Sequence, residues 1–380
     1  MSMDKYRNEI NRIDEEIVRL FIERMETTKA IGQYKKENNL PVRDPVRERK
    51  LLDKITDLAG DEYENSINQL YSMILEISRS QQTKIVSKPS KLAELMEQAV
   101  KNTDQLFPEK ATVACQGTDG AYSQAAAEKM FKHPSIMFLS SFDKVFTAVD
   151  KGLCRFGILP LENSTAGSVN QIYDLMVKYN FSIVRTARIQ VSHTLLANRG
   201  ASLADIKEIY SHEQAISQCS EFLSSLSGVR IIPCENTATA AAKVAESGRN
   251  DIAAISSKEC AELYGLSVLR DRVSNEKDNY TRFICISKKL EIYPGADKTS
   301  VMMILPHKSG SLYKVLSRLY VLGINLNKLE SRPIPDRNFE FMFYFDIDES
   351  IYSPALKELL GDLEREAQEF RYLGSYSEIV

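Results

Sequence analysis

The 380-residue chain lacks most of the features that announce a function directly. No apolar run approaches the roughly 18 residues of an ordinary membrane-spanning helix, so none is expected. The six cysteines, Cys115, Cys154, Cys219, Cys234, Cys260 and Cys285, form no CxxC spacing and mostly sit in apolar segments. At this length that argues against a disulfide scaffold and for reduced core thiols in a cytosolic protein. The four histidines make neither HxxxH nor HxH, so no metal site is expected. The N-terminus is polar and has no signal-peptide pattern, which agrees with a cytoplasmic location. A net charge of −3 gives no bulk attraction to nucleic acid or to an anionic membrane. Gly117-Thr118-Asp119-Gly120 is a glycine turn without the dinucleotide fingerprint or the Lys-Ser/Thr of a P-loop, and implies no nucleotide. What is present is 43% apolar content, enough for globular packing throughout. The length predicts about two to four domains.

The first 82 residues contain no histidine or cysteine, and from Met3 to Lys36 there is no proline and one glycine, Gly32. Ile10, Ile13, Ile17, Leu20, Phe21, Met25, Thr28 and Ile31 recur there at helical intervals, predicting a long helix. With 14 Lys/Arg against 16 Asp/Glu, the segment has no nucleic-acid footprint, so Arg7, Arg24, Lys35, Arg43 and Arg47 need another reading. Arg24 and Lys35 are about 16 Å apart along a helix and about 20° apart in phase, so two long arms can grip one ligand between them. Arg7 is about 26 Å from Arg24, too far for the same small anion. If it binds the same kind of ligand, it does so in a partner's site across a two-fold axis. A solvated helix face is the alternative for any one of these residues.

Pro41-Val42-Arg43-Asp44, Arg47-Glu48-Arg49 and a helix ending Ser78-Arg79-Ser80-Gln81-Gln82 follow. With these residues, positions 4–82 resemble the all-helical chorismate mutase domain of bifunctional P-proteins of phenylalanine biosynthesis. The resemblance implies a three-helix unit in an intertwined dimer. It implies that Arg24, Lys35 and Arg47 bind the two carboxylates of chorismate, with Arg7 from the other protomer. Glu48 and Asp44 would hold the hydroxyl side, Gln82 the ether oxygen whose bond breaks, and Ser78 would support a carboxylate. Chorismate to prephenate is a pericyclic rearrangement needing no nucleophile, metal or obligatory proton transfer. Holding a compact conformer and placing donors on the ether oxygen is what a protein can add.

Residues 84–110 read as a linker able to carry a short helix. From Ala111 short β-rich runs (111–116, 135–139, 155–161, 181–194, 206–210, 229–234, 251–255, 280–287) alternate with helical segments such as 122–131, 142–151, 213–226 and 237–247. That predicts an α/β system in two lobes. Three strands run into polar clusters: Glu162-Asn163-Ser164-Thr165, Ser211-His212-Glu213-Gln214 and Glu235-Asn236-Thr237. Strand ends and helix N-termini are where such folds bind anions, although each cluster alone is also an ordinary helix cap.

Gly117-x-x-Gly120-Ala121-Tyr122-Ser123, Glu162-Asn163-Ser164, Ser211-His212-x-Gln214, Asn236-Thr237-Ala238 and Thr281-Arg282-Phe283 together resemble a prephenate dehydratase domain over residues 111–290. One departure is Glu213, where that family usually has proline. The resemblance implies a periplasmic-binding-like fold. It implies Thr281 as proton donor to the departing ring hydroxyl, and Glu162, Asn163, Ser164, Ser211, Gln214, Gln218, Thr237 and Phe283 around the substrate. Arg282 points to the opposite strand face from Thr281. It either reaches a substrate carboxylate through a bulge or is structural.

Residues 298–376 read strand 300–305, helix 312–322, strands 325–332 and 340–347, helix 354–366 and a strand near 370–375. The order βαββαβ is the ferredoxin-like split unit. His307-Lys308-Ser309-Gly310-Ser311-Leu312 and Glu330-Ser331-Arg332-Pro333 resemble the two signatures of an ACT regulatory domain. That implies phenylalanine bound by Gly310, Ser311, Leu312, Glu330, Ser331 and Arg332. The expectation is a multidomain enzyme: helical mutase (1–83), linker (84–110), α/β dehydratase (111–290) and α+β ACT domain (298–376). It would work without cofactor or metal, as a homodimer or dimer of dimers inhibited by phenylalanine. The rivals are a dehydratase for prephenate or arogenate with an inactive mutase, and a non-catalytic amino-acid sensor.

Overall fold

The computed structural model describes residues 3–86, 91–276, 278–334, 337 and 340–380. The chain divides into two units, residues 1–91 and 92–380.

The first unit is all helix. Met3–Glu37 runs unbroken for 35 residues, as its lack of proline predicts. It ends at Asn39, whose φ of 52° is left-handed. Asp44 then caps the next helix, accepting from the backbone N–H of Arg47 at 3.0 Å, with Pro45 in the first helical position. Pro45–Val86 bends at Gly60 (φ 69°, ψ 167°), so it comprises two helical segments. Only the C-terminal half of the first helix packs inside the chain. Met25, Thr28 and Gly32 are buried, and a Cβ at Gly32 would sit 3.0 Å from Ile85 Cδ1, which marks a close helix crossing. Ile10, Ile13, Ile17 and Leu20, which recur at helical intervals, are exposed. Among the described residues of this unit, none covers that half of the helix.

The second unit begins with a two-lobed α/β body. Lobe one is a seven-stranded sheet. Its path runs Glu378–Ile379, Ser182–Gln190, Tyr280–Ser287, Phe156–Asn163, Lys110–Gln116 and His133–Leu139, with Gly167–Ser168 beside Phe156–Asn163. Lobe two has five strands: Ser267–Arg270, Thr194–Ala197, Ile252–Ser256, Glu208–His212 and Arg230–Cys234. The expected single strand 181–194 is two strands, Ser182–Gln190 and Thr194–Ala197, because the chain crosses between lobes there. Five of the six cysteines are buried and all six are free.

The C-terminal part is a four-stranded sheet ordered Asn325–Pro333, Phe341–Asp348, Lys298–Ile304, Glu369–Tyr376. Helices Ser311–Val321 and Pro354–Glu366 contribute Val315, Leu319, Leu359 and Leu363 to the core on one face. The helix in the expected linker, Lys91–Asn102, adds Leu92, Met96 and Ala99 to that core. The other face packs Met302, Ile304, Met342 and Tyr344 against Ile172, Tyr173 and Met176 of lobe one. No described helix is long and apolar enough to cross a membrane.

Candidate active sites

In the helical unit, Ser78 and Gln82 are one turn apart on a helix and share a face. Cations of the first helix meet them there. The Arg24 guanidinium donates to Ser78 Oγ at 2.5 Å. The Lys35 ammonium donates to Gln82 Oε1 at 2.9 Å and to the Val42 carbonyl at 2.5 Å. Burial pulls both cations below their usual pKa range. For Lys35, nearby Asp44 and Glu48 oppose that effect and Arg47 adds to it. Partly desolvated positive charge of this kind favours an anion. Glu48 Oε2 accepts from Arg79 at 2.8 Å. Asp44 caps a helix, as described, and Arg47 is exposed beside it. Arg7 stands apart from this cluster in its own chain, 3.7 Å from Asp4 and largely exposed.

In the second unit a cavity of 490 Å³ lies between the lobes. Asn163, Thr281, Phe283, Gln214, Gln218 and Thr237 line it, and among the described residues no lysine or arginine does. Amides, hydroxyls, the imidazoles of His193 and His212 and helix N-termini are the described groups there that can meet negative charge. Helices Tyr122–Met130 and Thr237–Ser247 both begin at the cavity, the second capped by Asn236 through Thr239 N–H at 2.7 Å.

The geometry around Thr281 is tightly determined. Asn163 Oδ1 accepts from the backbone N–H groups of Thr165 (3.1 Å) and Ala166 (2.9 Å). The amide is thereby oriented, and its Nδ2 faces Thr281 Oγ1 at 2.9 Å and Asn279 Oδ1 at 2.6 Å. Thr281 therefore accepts from Asn163, and its own hydroxyl hydrogen is left to donate. Gln218 Nε2 donates to Thr165 Oγ1 at 2.9 Å, which turns Gln218 Oε1 toward His193 Nε2, also at 2.9 Å. His193 must then carry its proton on Nε2. Its Nδ1 is buried with no partner among the described residues, and burial lowers the ring's pKa, which favours the neutral imidazole.

The family profile of Prephenate dehydratase matches residues 113–291, and that of Chorismate mutase type II matches residues 6–83. Over 97% of this chain and 95% of the relative's, the sequence is 30% identical to the bifunctional chorismate mutase/prephenate dehydratase of Escherichia coli K12. The chain belongs to this bifunctional family. It is also 36% identical, over 70% of its length and 73% of the relative's, to an arogenate dehydratase/prephenate dehydratase of Arabidopsis thaliana. Among solved structures it resembles a prephenate dehydratase of Arthrobacter aurescens in complex with L-phenylalanine. That likeness has a TM-score of 0.64 and 29% identity, over 70% of this chain and 89% of that one.

Four residues expected around the dehydratase substrate do not line the cavity of this bifunctional enzyme. Glu162 and Arg282 neighbour Asn163 and Thr281, but strand alternation turns them to the opposite face. There Arg282 pairs with Glu162 (3.1 Å), Asp346 and Glu378 (3.3 Å), and bonds Tyr376 Oη at 3.2 Å. The bulge lies between Arg282 and Phe283 and does not swing the arginine inward. Ser164 Oγ accepts from Tyr280 N–H at 3.0 Å and so holds a turn. Ser211 is fully buried, donating to the Ile255 carbonyl at 2.7 Å. Conversely, His193 and Gln116 line the cavity unforeseen, and Ser123 and Asn236, named only within the motifs and the strand-end cluster, line it too.

The C-terminal signatures also separate. The turn 307–312 borders a 310 Å³ cavity closed by Glu340, Phe341 and Phe343, with Gly310 left-handed (φ 80°) at the helix start. Glu330 and Arg332 were expected to face that turn. They share their strand face with Lys328 and meet lobe one instead: Ser168 donates to Glu330 at 2.5 Å, and Arg332 pairs with Asp174 at 3.1 Å. Ser331 lies opposite Phe343 in the sheet.

Proposed function

We propose that the helical unit rearranges chorismate to prephenate and that the two-lobed unit converts prephenate to phenylpyruvate, in the cytoplasm and without a cofactor. In the mutase step, Arg24, Lys35 and Arg47 hold the substrate carboxylates with support from Ser78. Gln82 and Lys35 meet the charge growing on the ether oxygen, and Glu48 and Asp44 hold the hydroxyl side. A second copy of the chain covers the exposed stripe Ile10, Ile13, Ile17 and Leu20 and brings its own Arg7 to this site. The stripe supports that reading, because contiguous exposed apolar surface marks an interface.

In the dehydratase step the ring carboxylate leaves as CO₂. Its bonding electrons enter the ring and expel the C4 hydroxyl, which must take a proton to depart as water. Thr281 gives that proton and is re-protonated from solvent. Its orientation by Asn163 is the single observation that carries the assignment. Gln214, Gln218, Thr237 and Phe283 shape the cavity, and helix N-termini seat the carboxylates. The C-terminal sheet is read as an ACT domain, with phenylalanine bound against the turn 307–312 and the dehydratase inhibited as a result.

The test is a turnover assay with chorismate alone, following prephenate and phenylpyruvate with and without phenylalanine. Thr281→Ala should accumulate prephenate without phenylpyruvate, and Arg24→Ala should consume no chorismate yet still dehydrate added prephenate. Normal phenylpyruvate formation by Thr281→Ala would overturn the dehydratase assignment. Loss of both activities in Arg24→Ala would overturn the separation of sites. Arogenate supplied in the same assay tests the reading favoured by the likeness to the Arabidopsis protein.

A further inference from the structure

Arg79 has no part in the chemistry described so far, yet it occupies a defined place beside it. It follows Ser78 directly and precedes Gln82 by three residues on the same helix. Its side chain is only 16% exposed and lies between two carboxylates. One terminal nitrogen bonds Glu48 Oε2 at 2.8 Å and the other bonds Glu76 of its own helix. Its Nε is buried with no partner among the described residues, and its two terminal nitrogens bond those two carboxylates.

An exposed bridge between helices contributes little, because solvent screens it and two long side chains must be ordered. This bridge is different in place and in burial. Glu76 and Arg79 are three residues apart on one helix, so Glu76 fixes the direction of the guanidinium. The guanidinium then fixes one oxygen of Glu48, which comes from the preceding helical segment. Glu48 Oε2 is taken, and no described group holds Oε1. Since Ser78, Arg79 and Gln82 belong to one helix, the open oxygen is set at a constant offset from the donors that meet the carboxylate and the ether oxygen.

We propose that Arg79 is a positioning residue of the mutase site, holding Glu48 so that its free oxygen accepts the substrate hydroxyl. The inference rests on the reading that Glu48 serves that hydroxyl. It acts on geometry, so its loss lowers kcat more than it raises KM.

The test uses the full chain and four variants: Arg79→Met, Arg79→Lys, Glu48→Gln and the double variant Arg79→Met/Glu48→Gln. Arg79→Met should lower mutase kcat/KM by about tenfold or more, while prephenate dehydration stays unchanged. Arg79→Lys should recover part of the loss. In the Glu48→Gln background, adding Arg79→Met should cost less than about twofold, because the residue it positions has lost its charge. Helical circular dichroism melts of each variant identify any that fail to fold. A folded Arg79→Met with near-normal kcat/KM overturns the proposal. So does an equal loss from Arg79→Met in both backgrounds, which would make the arginine purely structural. If Glu48→Gln is itself harmless, the reading of Glu48 fails instead.

Discussion

At the scale of the residue, burial at the dehydratase cavity works against charge. His193 shows this best. It donates through Nε2 to Gln218, while Nδ1 is buried with no hydrogen-bond partner among the described residues. Burial lowers its pKa, with nearby His212 adding repulsion and the Gln218 bond opposing. A base whose pKa is lowered by folding takes its proton more readily when unfolded. Its contribution to stability is therefore full above the ordinary histidine range near about 6.5, and declines as pH falls below it. Thermal melts should show the dehydratase unit weakening as pH is lowered from 7.5 toward 5.5, and His193→Gln should flatten that slope. An unchanged slope in the variant would mean that other groups set it. Much of this site was legible in the sequence. Asn163 and Thr281 stand out as polar residues at the ends of apolar runs, and Gln218 followed from the family resemblance. His193 and Asn279 were not, because their roles depend on where the chain crosses between lobes, which local pattern does not encode.

At the scale of the element, strand alternation explains both the success and the error of the sequence reading. The period of two placed Thr281 and Phe283 on the cavity face and turned Arg282 away. Applied equally to Glu162 it would have excluded that residue too. Other elements left no readable trace: Glu378–Ile379 is a two-residue strand, too short to carry a pattern. The glycine turn after Lys110–Gln116 belonged to the dehydratase motifs in the sequence but had no physical role assigned to it. In the fold, Gly120 is left-handed (φ 85°) and touches lobe two, where a Cβ would lie 2.7 Å from Cys260 Sγ and 3.1 Å from Leu263 Cδ2. Tyr264 closes the same contact by donating to the Asp119 carbonyl at 2.6 Å. Gly120→Ala should therefore push the lobes apart. The expected cost is about 1–3 kcal/mol from crowding, beyond the backbone strain, with a raised KM for prephenate. Gly152→Ala is the control, since Gly152 is also left-handed (φ 71°) with open space around it. Urea midpoints for the two variants separate crowding from strain, and equal midpoints would remove the lobe contact from the argument.

At the scale of the whole molecule, the C-terminal sheet is bound to the dehydratase lobe directly behind Asn163 and Thr281. Burial alone would lower the Arg282 pKa, but Tyr376 and Asp346 more than compensate and hold it well above its usual range. Lys328 completes the cluster by reaching Glu162 at 2.5 Å and Ser168 at 2.9 Å. Two strands of lobe one thus show one face to the substrate cavity and the other to charges borne on the C-terminal sheet. Removing one member of a buried ion cluster leaves an uncompensated charge and costs about 3–5 kcal/mol, whereas removing both partners can be far milder. Asp346→Asn should accordingly destabilise the second unit, and the pair Arg282→Met/Asp346→Leu should destabilise it less, with mutase turnover unaffected in both. The same connection gives the proposed phenylalanine site a route to Thr281, since a shift of the sheet would move Asp346 and Glu378 against Arg282. In whatever folded fraction of Asp346→Asn remains, phenylalanine should still bind, measured by calorimetry, but should inhibit prephenate turnover less than in the parent. Full inhibition in that variant would require a path that bypasses Arg282, leaving the cluster with a structural duty alone.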